Sequence, residues 1–181
     1  AIGGITAVMA AAIAFVQDDL KKVLAYSTMS QLAYIFTGLG AALWLANSLD
    51  WQTDDTAHNI VVVAFGAALF HLFNHAMAKG MLFMASGSVI HEMHHAHHDL
   101  HHHDGHDDDH HDDHHDDHFD AQSMENMGGL ASKMPITATA MLVGSASIMG
   151  LPLIGGFWSK EGIIANAWRV ALEDPRFFLP A

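Results

Sequence analysis

Four long apolar stretches restrict the folds that this chain can adopt. Three of them carry no charge: Ile2–Val16, Val23–Ala46 and Met134–Trp158. The remaining one, Ile60–Ile90, contains a single lysine. About 20 apolar residues suffice to cross a bilayer as a helix, and hydrocarbon requires each backbone group to be bonded within the protein. A soluble core accommodates one such helix, but four within 181 residues predict an all-α, polytopic transmembrane helix bundle.

These stretches divide the chain into three parts. Residues 1–90 are predicted to form transmembrane helices, the first of them truncated, because Ala1 begins inside an apolar run without Met or a basic residue. Residues 91–133 are predicted to form a cytoplasmic loop rich in His and Asp. Residues 134–181 are predicted to contain a broken transmembrane helix followed by a C-terminal segment.

The tract His91–His118 differs in composition from the rest of the chain, with 14 His and nine Asp among 28 residues. Such a segment cannot bury a core and is predicted to be disordered. The chain has 20 Asp and Glu against seven Lys and Arg, and the nine Asp of this tract are among those acids. An excess of negative charge argues against nucleic-acid binding. Histidine clusters bind Zn, Ni and Cu, so a metal site is the less favoured alternative to a solvated loop without a dedicated metal. Its ligands would come from His94, His95, His97, His98, His101, His102 and His103.

Lysines mark one set of connecting segments. Lys21 and Lys22 join the first two spans and Lys133 precedes the last, whereas Asn47–Asn59 contains neither Lys nor Arg. The positive-inside rule therefore places these lysines and the His/Asp-rich loop in the cytoplasm. Two arginines in the C-terminal segment do not fit this pattern.

Ionisable side chains interrupt the third apolar stretch at regular intervals. His71, His75 and Lys79 are spaced i, i+4 and i+8, which places them within an arc of about 80° over about 12 Å of helix. A lysine at the centre of a bilayer costs at least about 2.5–3.5 kcal/mol. Snorkelling of Lys79 to an interface is the alternative, but nineteen residues of the stretch precede it and eleven follow it. We therefore expect the three side chains to face a bundle interior or a hydrated path.

These residue types suit proton transfer. Histidine has an unperturbed pKa of about 6.5, and groups one helical turn apart can pass a proton through intervening waters. A lone buried histidine is more often a structural residue, but two histidines and a lysine on one stripe favour a relay. The chain has no cysteine, which excludes disulfides, thiolate zinc sites and Cys-ligated Fe–S clusters within it.

The fourth apolar stretch contains a candidate helix break. Gly150–Gly156 holds three glycines and a proline, and Lys160 and Glu161 follow shortly after it. Proline removes a backbone donor, and discontinuous helices form ion sites in many transporters. The alternative is a complete span ending at Trp158, with Lys160 and Glu161 at the water interface. The residue pattern alone does not decide between the two.

Four segments carry a resemblance to a known family. They are Asp19–Gln31 (DLKKVLAYSTMSQ), His71–Ile90, Met127–Leu130 (MGGL) and Gly156–Glu161 (GFWSKE). Their type and order resemble the antiporter-like subunits of respiratory complex I, the NADH:quinone oxidoreductase, and among these the L-type subunit, the counterpart of mitochondrial subunit 5. The resemblance covers nearly the whole chain except the His/Asp-rich tract, and it identifies the chain as a fragment of a longer subunit.

The resemblance implies a proton-translocating function, coupled to electron transfer in partner subunits. His71, His75 and Lys79 match the family's proton path, and Lys160 matches the lysine of its broken helix. Glu161 stands where the family often has Asp. No cofactor is expected in this chain, whereas NADH, flavin, Fe–S clusters and quinone are expected on partner membrane and peripheral subunits. The implied location is the inner or plasma membrane of the cell, with several passes through the lipid bilayer.

Two other functions remain open on these residues. A subunit of a multisubunit Na⁺/H⁺ antiporter or a membrane-bound hydrogenase would share the same motifs. A metal-ion transporter with a His-rich loop is the candidate from a different class. Two features argue against a metal-ion transporter. Lys79 would repel a metal cation, and Ile60–Ile90 contains no Asp or Glu to complete a coordination shell.

Overall fold

The computed structural model describes residues 1–103 and 119–173, and these residues form a helical bundle. The helices are α1 (Ile2–Phe15), α2 (Leu20–Ser48), α3 (Asp55–His103), α4 (Leu130–Lys133), α5 (Pro135–Met149) and α6 (Gly155–Glu173), with a short 3₁₀ turn at Met124–Asn126. Within the described ranges there is no β-strand, only one isolated backbone bridge. Helices α2 and α3 are long and apolar enough to cross a membrane. The predicted all-α membrane helix bundle is confirmed.

Small residues fill the interior of this bundle, and large apolar residues cover its outside. Helix α3 packs against α2, α5 and α6, and α1 packs against α2. Ala41, Ala42 and Ala64 are buried at the α2–α3 contact, and Gly38 of α2 approaches Ile163 of α6. Phe36, Leu43, Phe73, Met77 and Met84 are exposed. Because lipid is as apolar as these side chains, membrane helices associate through small residues that allow close approach.

A break separates α5 from α6, as the sequence analysis expected. Helix α5 ends at Gly150, whose φ of 84° lies in the left-handed region that glycine adopts without a Cβ clash. Hydrogen bonds from Gly150 N to Ser147 O (3.2 Å) and from Leu151 N to Ala146 O (3.1 Å) close a Schellman motif. The chain then passes through Leu153, also at positive φ, before α6 begins. The broken-helix interpretation is therefore correct.

Helix α3 continues further than the sequence analysis expected. Disorder was predicted from His91 onward, but the structure is helical through His103. No glycine or proline occurs between Val89 and His103, and extending an existing helix adds one hydrogen bond per residue without a new nucleation cost. The His97 ring stacks on Phe119 with centroids 4.3 Å apart. The rest of the tract, 104–118, lies outside the described residues.

Two connecting segments pair at one end of the bundle. Leu20 N donates to Gln122 O (3.0 Å) and Met124 N donates to Asp18 O (2.8 Å), forming an antiparallel bridge between Asp19 and Ser123. The Asp19 carboxylate also caps α2 by accepting from the backbone N–H groups of Lys21 and Lys22. The α1–α2 connection and the segment after the His/Asp-rich tract thus lie at the same end of the bundle.

Candidate functional site

Three of the ionisable residues singled out in the sequence are buried in the bundle. On α3, His71 is 2% exposed, His75 6% and Lys79 5%. The stripe therefore faces the interior, as expected, because α2, α5 and α6 pack against α3. Snorkelling of Lys79 to the surface does not occur. The role of these groups in proton transfer stays a prediction.

His71 connects three helices through its two ring nitrogens. Nδ1 lies 2.9 Å from Ser159 Oγ of α6, and Nε2 lies 3.1 Å from Gln31 Oε1 of α2. Both partners are buried, Ser159 completely. Neither was singled out from the sequence, although a glutamine inside an uncharged apolar span is itself a signal, because such side chains usually need a partner within the bundle.

Lys79 has neutral partners among the described residues. Its Nζ donates to Leu24 O of α2 (2.9 Å) and to Ser27 Oγ. Ser27 Oγ in turn donates to the same Leu24 carbonyl (3.1 Å). Within the described part of the chain, no carboxylate forms a salt bridge with Lys79. A hydroxyl and a carbonyl can accept hydrogen bonds from a neutral amine or from an ammonium.

Lys160 reaches back across the helix break. It lies in the second turn of α6, and its Nζ donates to Ile148 O in the last turn of α5. The same Nζ lies 5.9 Å from the centroid of the Tyr34 ring on α2. Carbonyl groups at a helix C-terminus lack intrahelical donors and attract cations. The break therefore creates the acceptor that holds this lysine.

A small cavity lies between the histidines and the break. The centre of a water molecule can occupy a volume of about 10 Å³ within it. This is close to the volume that a cavity needs to hold one water. Its lining is contributed by Gln31, His71, Asn74, His75, Ser147, Ile148 and Gly156. His75 Nε2 is buried and has no hydrogen-bond partner among the described residues. A buried polar atom of this kind favours a water as its partner.

Glycines set the geometry of the break. A Cβ on Gly156 would lie 1.9 Å from Ser147 O, so only glycine lets the start of α6 cross the end of α5 this closely. Asn74 Nδ2 donates to Gly155 O (3.1 Å) and ties α3 to the first turn of α6. The stripe on α3 and the broken helix are thus fixed relative to each other.

Glu161 does not join the other four candidate residues. Its side chain is exposed, whereas Lys160 is partly buried. Consecutive residues on a helix point about 100° apart, so the neighbour of an inward-facing lysine is directed outward. Among the described residues Glu161 has no salt-bridge partner.

The histidines of the candidate metal site lie on the extension of α3. His94, His95 and His98 are exposed there, and the side chains of His101, His102 and His103 fall outside the description. Of the residues described, no three or more potential ligands come together as a metal site. Metal binding by this tract stays untested.

Comparison with known proteins shows the family to which this chain belongs. The family described as NADH:quinone oxidoreductase/Mrp antiporter, transmembrane, matches residues 1–49 and 57–173. The chain is 40% identical over 166 residues, 92% of its length, to chloroplastic NAD(P)H-quinone oxidoreductase subunit 5 of Zygnema circumcarinatum. It is 38% identical over 180 residues, 99% of its length, to the subunit 5 of Cicer arietinum, and 39% identical over 166 residues to that of Marchantia polymorpha.

These relatives are much longer proteins. The chain spans 18% of the Zygnema subunit and 19% of the Cicer subunit. The resemblance seen in the sequence motifs is confirmed along nearly the whole chain. The chain belongs to the NADH:quinone oxidoreductase/Mrp antiporter transmembrane family.

Proposed function

We propose that this chain forms part of the proton path of an antiporter-like subunit in a NADH, or related donor, quinone oxidoreductase. The observation that supports it best is the water-sized cavity bordered by His71 and His75 next to the broken helix. Within residues 1–103 and 119–173, His75 Nε2 has no hydrogen-bond partner, so it is available to a water. Buried proton-exchanging groups in a membrane helix usually belong to ion or proton pathways.

The path runs from the break towards α2. Lys160 of α6 donates to Ile148 O in the last turn of α5, and Ile148 lines the cavity. The two histidine rings follow on the other side, with centroids 6.4 Å apart. Lys79 stands one helical turn beyond His75 and contacts Ser27. A proton can pass along such a series when each group gives up its proton to a neighbouring water before it takes up the next one.

The redox chemistry belongs to partner subunits. This chain has no cysteine to bind Fe–S clusters, and we place NADH or a related donor, flavin, Fe–S clusters and quinone outside it. Electron transfer there would supply the energy for proton movement here, which makes the chain part of a translocase.

The outward face of α6 marks a contact with other protein. Glu161 is exposed there beside Trp158 (62% exposed) and Ile164 (49%). A carboxylate that faced lipid at this position would be costly, so we place further helices of the same protein or of a neighbouring subunit on this face.

The positions of the lysines indicate which side of the membrane the connecting segments face. Lys21 and Lys22 adjoin the segment after the His/Asp-rich tract, so the positive-inside rule assigns both to one side, the cytoplasmic one. The named relatives are chloroplastic. For this chain we propose the inner or plasma membrane of a cell.

A Na⁺/H⁺ antiporter subunit is the second candidate, because the family description includes Mrp antiporters. Its ion would need oxygen ligands, whereas the buried ionisable groups of α3 are two imidazoles and an amine. This chemistry favours protons.

The test is proton uptake driven by electron transfer in vesicles that contain the intact complex. His75→Met should lower the number of protons taken up per electron while the complex still assembles. His58→Met, at an exposed histidine outside the stripe, is the matched control and should pump normally. Normal pumping by His75→Met would contradict the proposed path, and uptake that depended on Na⁺ would favour the antiporter.

A further inference from the structure

The Ser159 hydroxyl contacts His71 but has no role in the proposed path. It is fully buried and lies within hydrogen-bond distance of two acceptors. One is His71 Nδ1 at 2.9 Å, and the other is Gly156 O at 3.1 Å on the same helix. A hydroxyl has a single hydrogen, so it can donate to only one of the two at a time.

The neutral and the protonated forms of His71 require different directions of the Ser159 hydroxyl hydrogen. In the neutral ring, Nε2–H donates to Gln31 Oε1 (3.1 Å) and Nδ1 accepts from Ser159. In the protonated ring both nitrogens donate. Ser159 must then accept from Nδ1–H, and its own hydrogen turns to Gly156 O.

We propose that Ser159 is a positioning residue for His71, whose hydroxyl rotates between Nδ1 and Gly156 O as His71 takes up and releases its proton. Both states are then fully hydrogen-bonded with every heavy atom in place. Only the hydroxyl hydrogen changes direction: His71 takes its second proton at Nδ1 from a water of the cavity that it borders, and returns that proton to the path when the ring becomes neutral again. This inference rests on the proposed function.

The surroundings of His71 agree with this role. In the part of the chain that the structure describes, the titratable and charged groups around it are His75 on α3, Tyr34 on α2 and Lys160 on α6, and α5 contains none. None of them is a carboxylate that could hold the imidazolium. Ser159 and Gln31 are therefore the neutral partners on which the protonated ring depends.

Removing the hydroxyl should affect the two forms of His71 unequally. Hydrogen bonds to a charged group are about twice as strong as those between neutral groups. In Ser159→Ala the protonated ring therefore loses more hydrogen-bond stabilisation than the neutral ring does. The pH at which pumping is half-maximal should therefore shift to lower values by about 1 unit or more.

The chain offers a matched control at Ser86. This serine is also almost fully buried, at 1% exposed, and donates to the carbonyl of the third residue before it, Phe83 O, at 2.9 Å. It has no histidine partner among the hydrogen bonds described. Ser86→Ala thus removes the same local bond without touching a titrating group.

The experiment compares the pH profile of proton uptake per electron in the assembled complex for wild type and four variants. We expect a shift to lower pH in Ser159→Ala, recovery in Ser159→Thr, which retains the hydroxyl, and no shift in Ser86→Ala. Equal profiles for wild type and Ser159→Ala would overturn the inference, as would equal shifts in Ser159→Ala and Ser86→Ala. If Ser159→Ala does not assemble, a wild-type profile in Ser159→Cys, whose thiol is a poor donor, would also overturn it.

The fourth variant, His71→Met, separates this inference from the proposed function. Wild-type pumping in His71→Met would remove His71 from the path and overturn the proposed function itself. Loss of pumping in His71→Met together with an unshifted Ser159→Ala would leave the path intact and reject only the role of Ser159.

Discussion

His71 on α3 and Ser159 on α6 are joined by a hydrogen bond of 2.9 Å, although 88 positions separate them in the sequence. The contact sets a buried imidazole against the first turns of the helix that begins after the break. It brings the α3 stripe to the segment that carries Lys160. The stripe and the broken helix thus form one site instead of two separate features.

Lys79 is predicted to be required for pumping but not for assembly. Lys79→Met retains most of the side-chain length and removes a charge from a transmembrane helix, so insertion should not suffer. Proton uptake per electron should fall sharply, because the relay then lacks one of its proton-transferring groups. Lys133→Met, at an exposed lysine, should leave uptake unchanged. Wild-type uptake in Lys79→Met would remove Lys79 from the path.

Gly156→Ala is predicted to destabilise the break. The new Cβ would meet Ser147 O at 1.9 Å, and because that atom is backbone, α5 and α6 must move apart. Overpacking of this kind costs about 1–3 kcal/mol or more. The thermal stability of the assembled complex should fall, and with it pumping. Gly66→Ala is the control, because a Cβ there meets nothing within 4 Å. Equal stability of the two variants would show that the crossing is not tight.

Much of this site could be predicted from local sequence. The spacing of His71, His75 and Lys79 implied one buried stripe, since helix geometry alone places them on one face. Gly150 and Pro152 made a break one of two interpretations through their backbone preferences, and the family resemblance favoured the break. Both inferences depend on residues within two turns of each other, where sequence and geometry are directly linked.

Other features depended on tertiary contacts that local sequence does not contain. Gln31 and Ser159 became partners of His71 only when α2 and α6 packed against α3. Glu161 was grouped with Lys160 by adjacency, but neighbouring helical residues face different directions. The composition of His91–His103 suggested disorder, and the helix of α3 continued through it because it was already nucleated.

The His/Asp-rich tract is predicted to be dispensable for pumping. The path residues lie on α3 and α6, and the nearest of them, Lys79, precedes the tract by 12 positions. Replacing residues 104–118 by a short Gly/Ser linker should preserve assembly and quinone reductase activity, because no residue of the proposed path lies among them. Histidine clusters bind metals, and the linker removes the histidines of this segment. The variant is therefore expected to retain less metal than the wild type. A loss of pumping that metal chelation reproduced in the wild type would show instead that the tract is a functional metal site.

Lys160 is predicted to lie inside the protein, away from both aqueous phases. Its Nζ reaches the Ile148 carbonyl across the break, towards the cavity that His71 and His75 border. The alternative is a lysine at the headgroup level, open to the solvent. Because this chain lacks cysteine, a Lys160→Cys variant in an otherwise Cys-depleted complex offers a single thiol to a membrane-impermeant reagent.

Labelling of Lys160→Cys should be slow from both sides of the membrane. Lys133→Cys, at an exposed residue before α5, should react quickly from one side and shows that the reagent works. Fast labelling at position 160 from one face would place this residue at an interface. Lys160 would then leave the proposed proton path, whereas His71, His75 and Lys79 would remain in it, because their burial on α3 does not depend on the break.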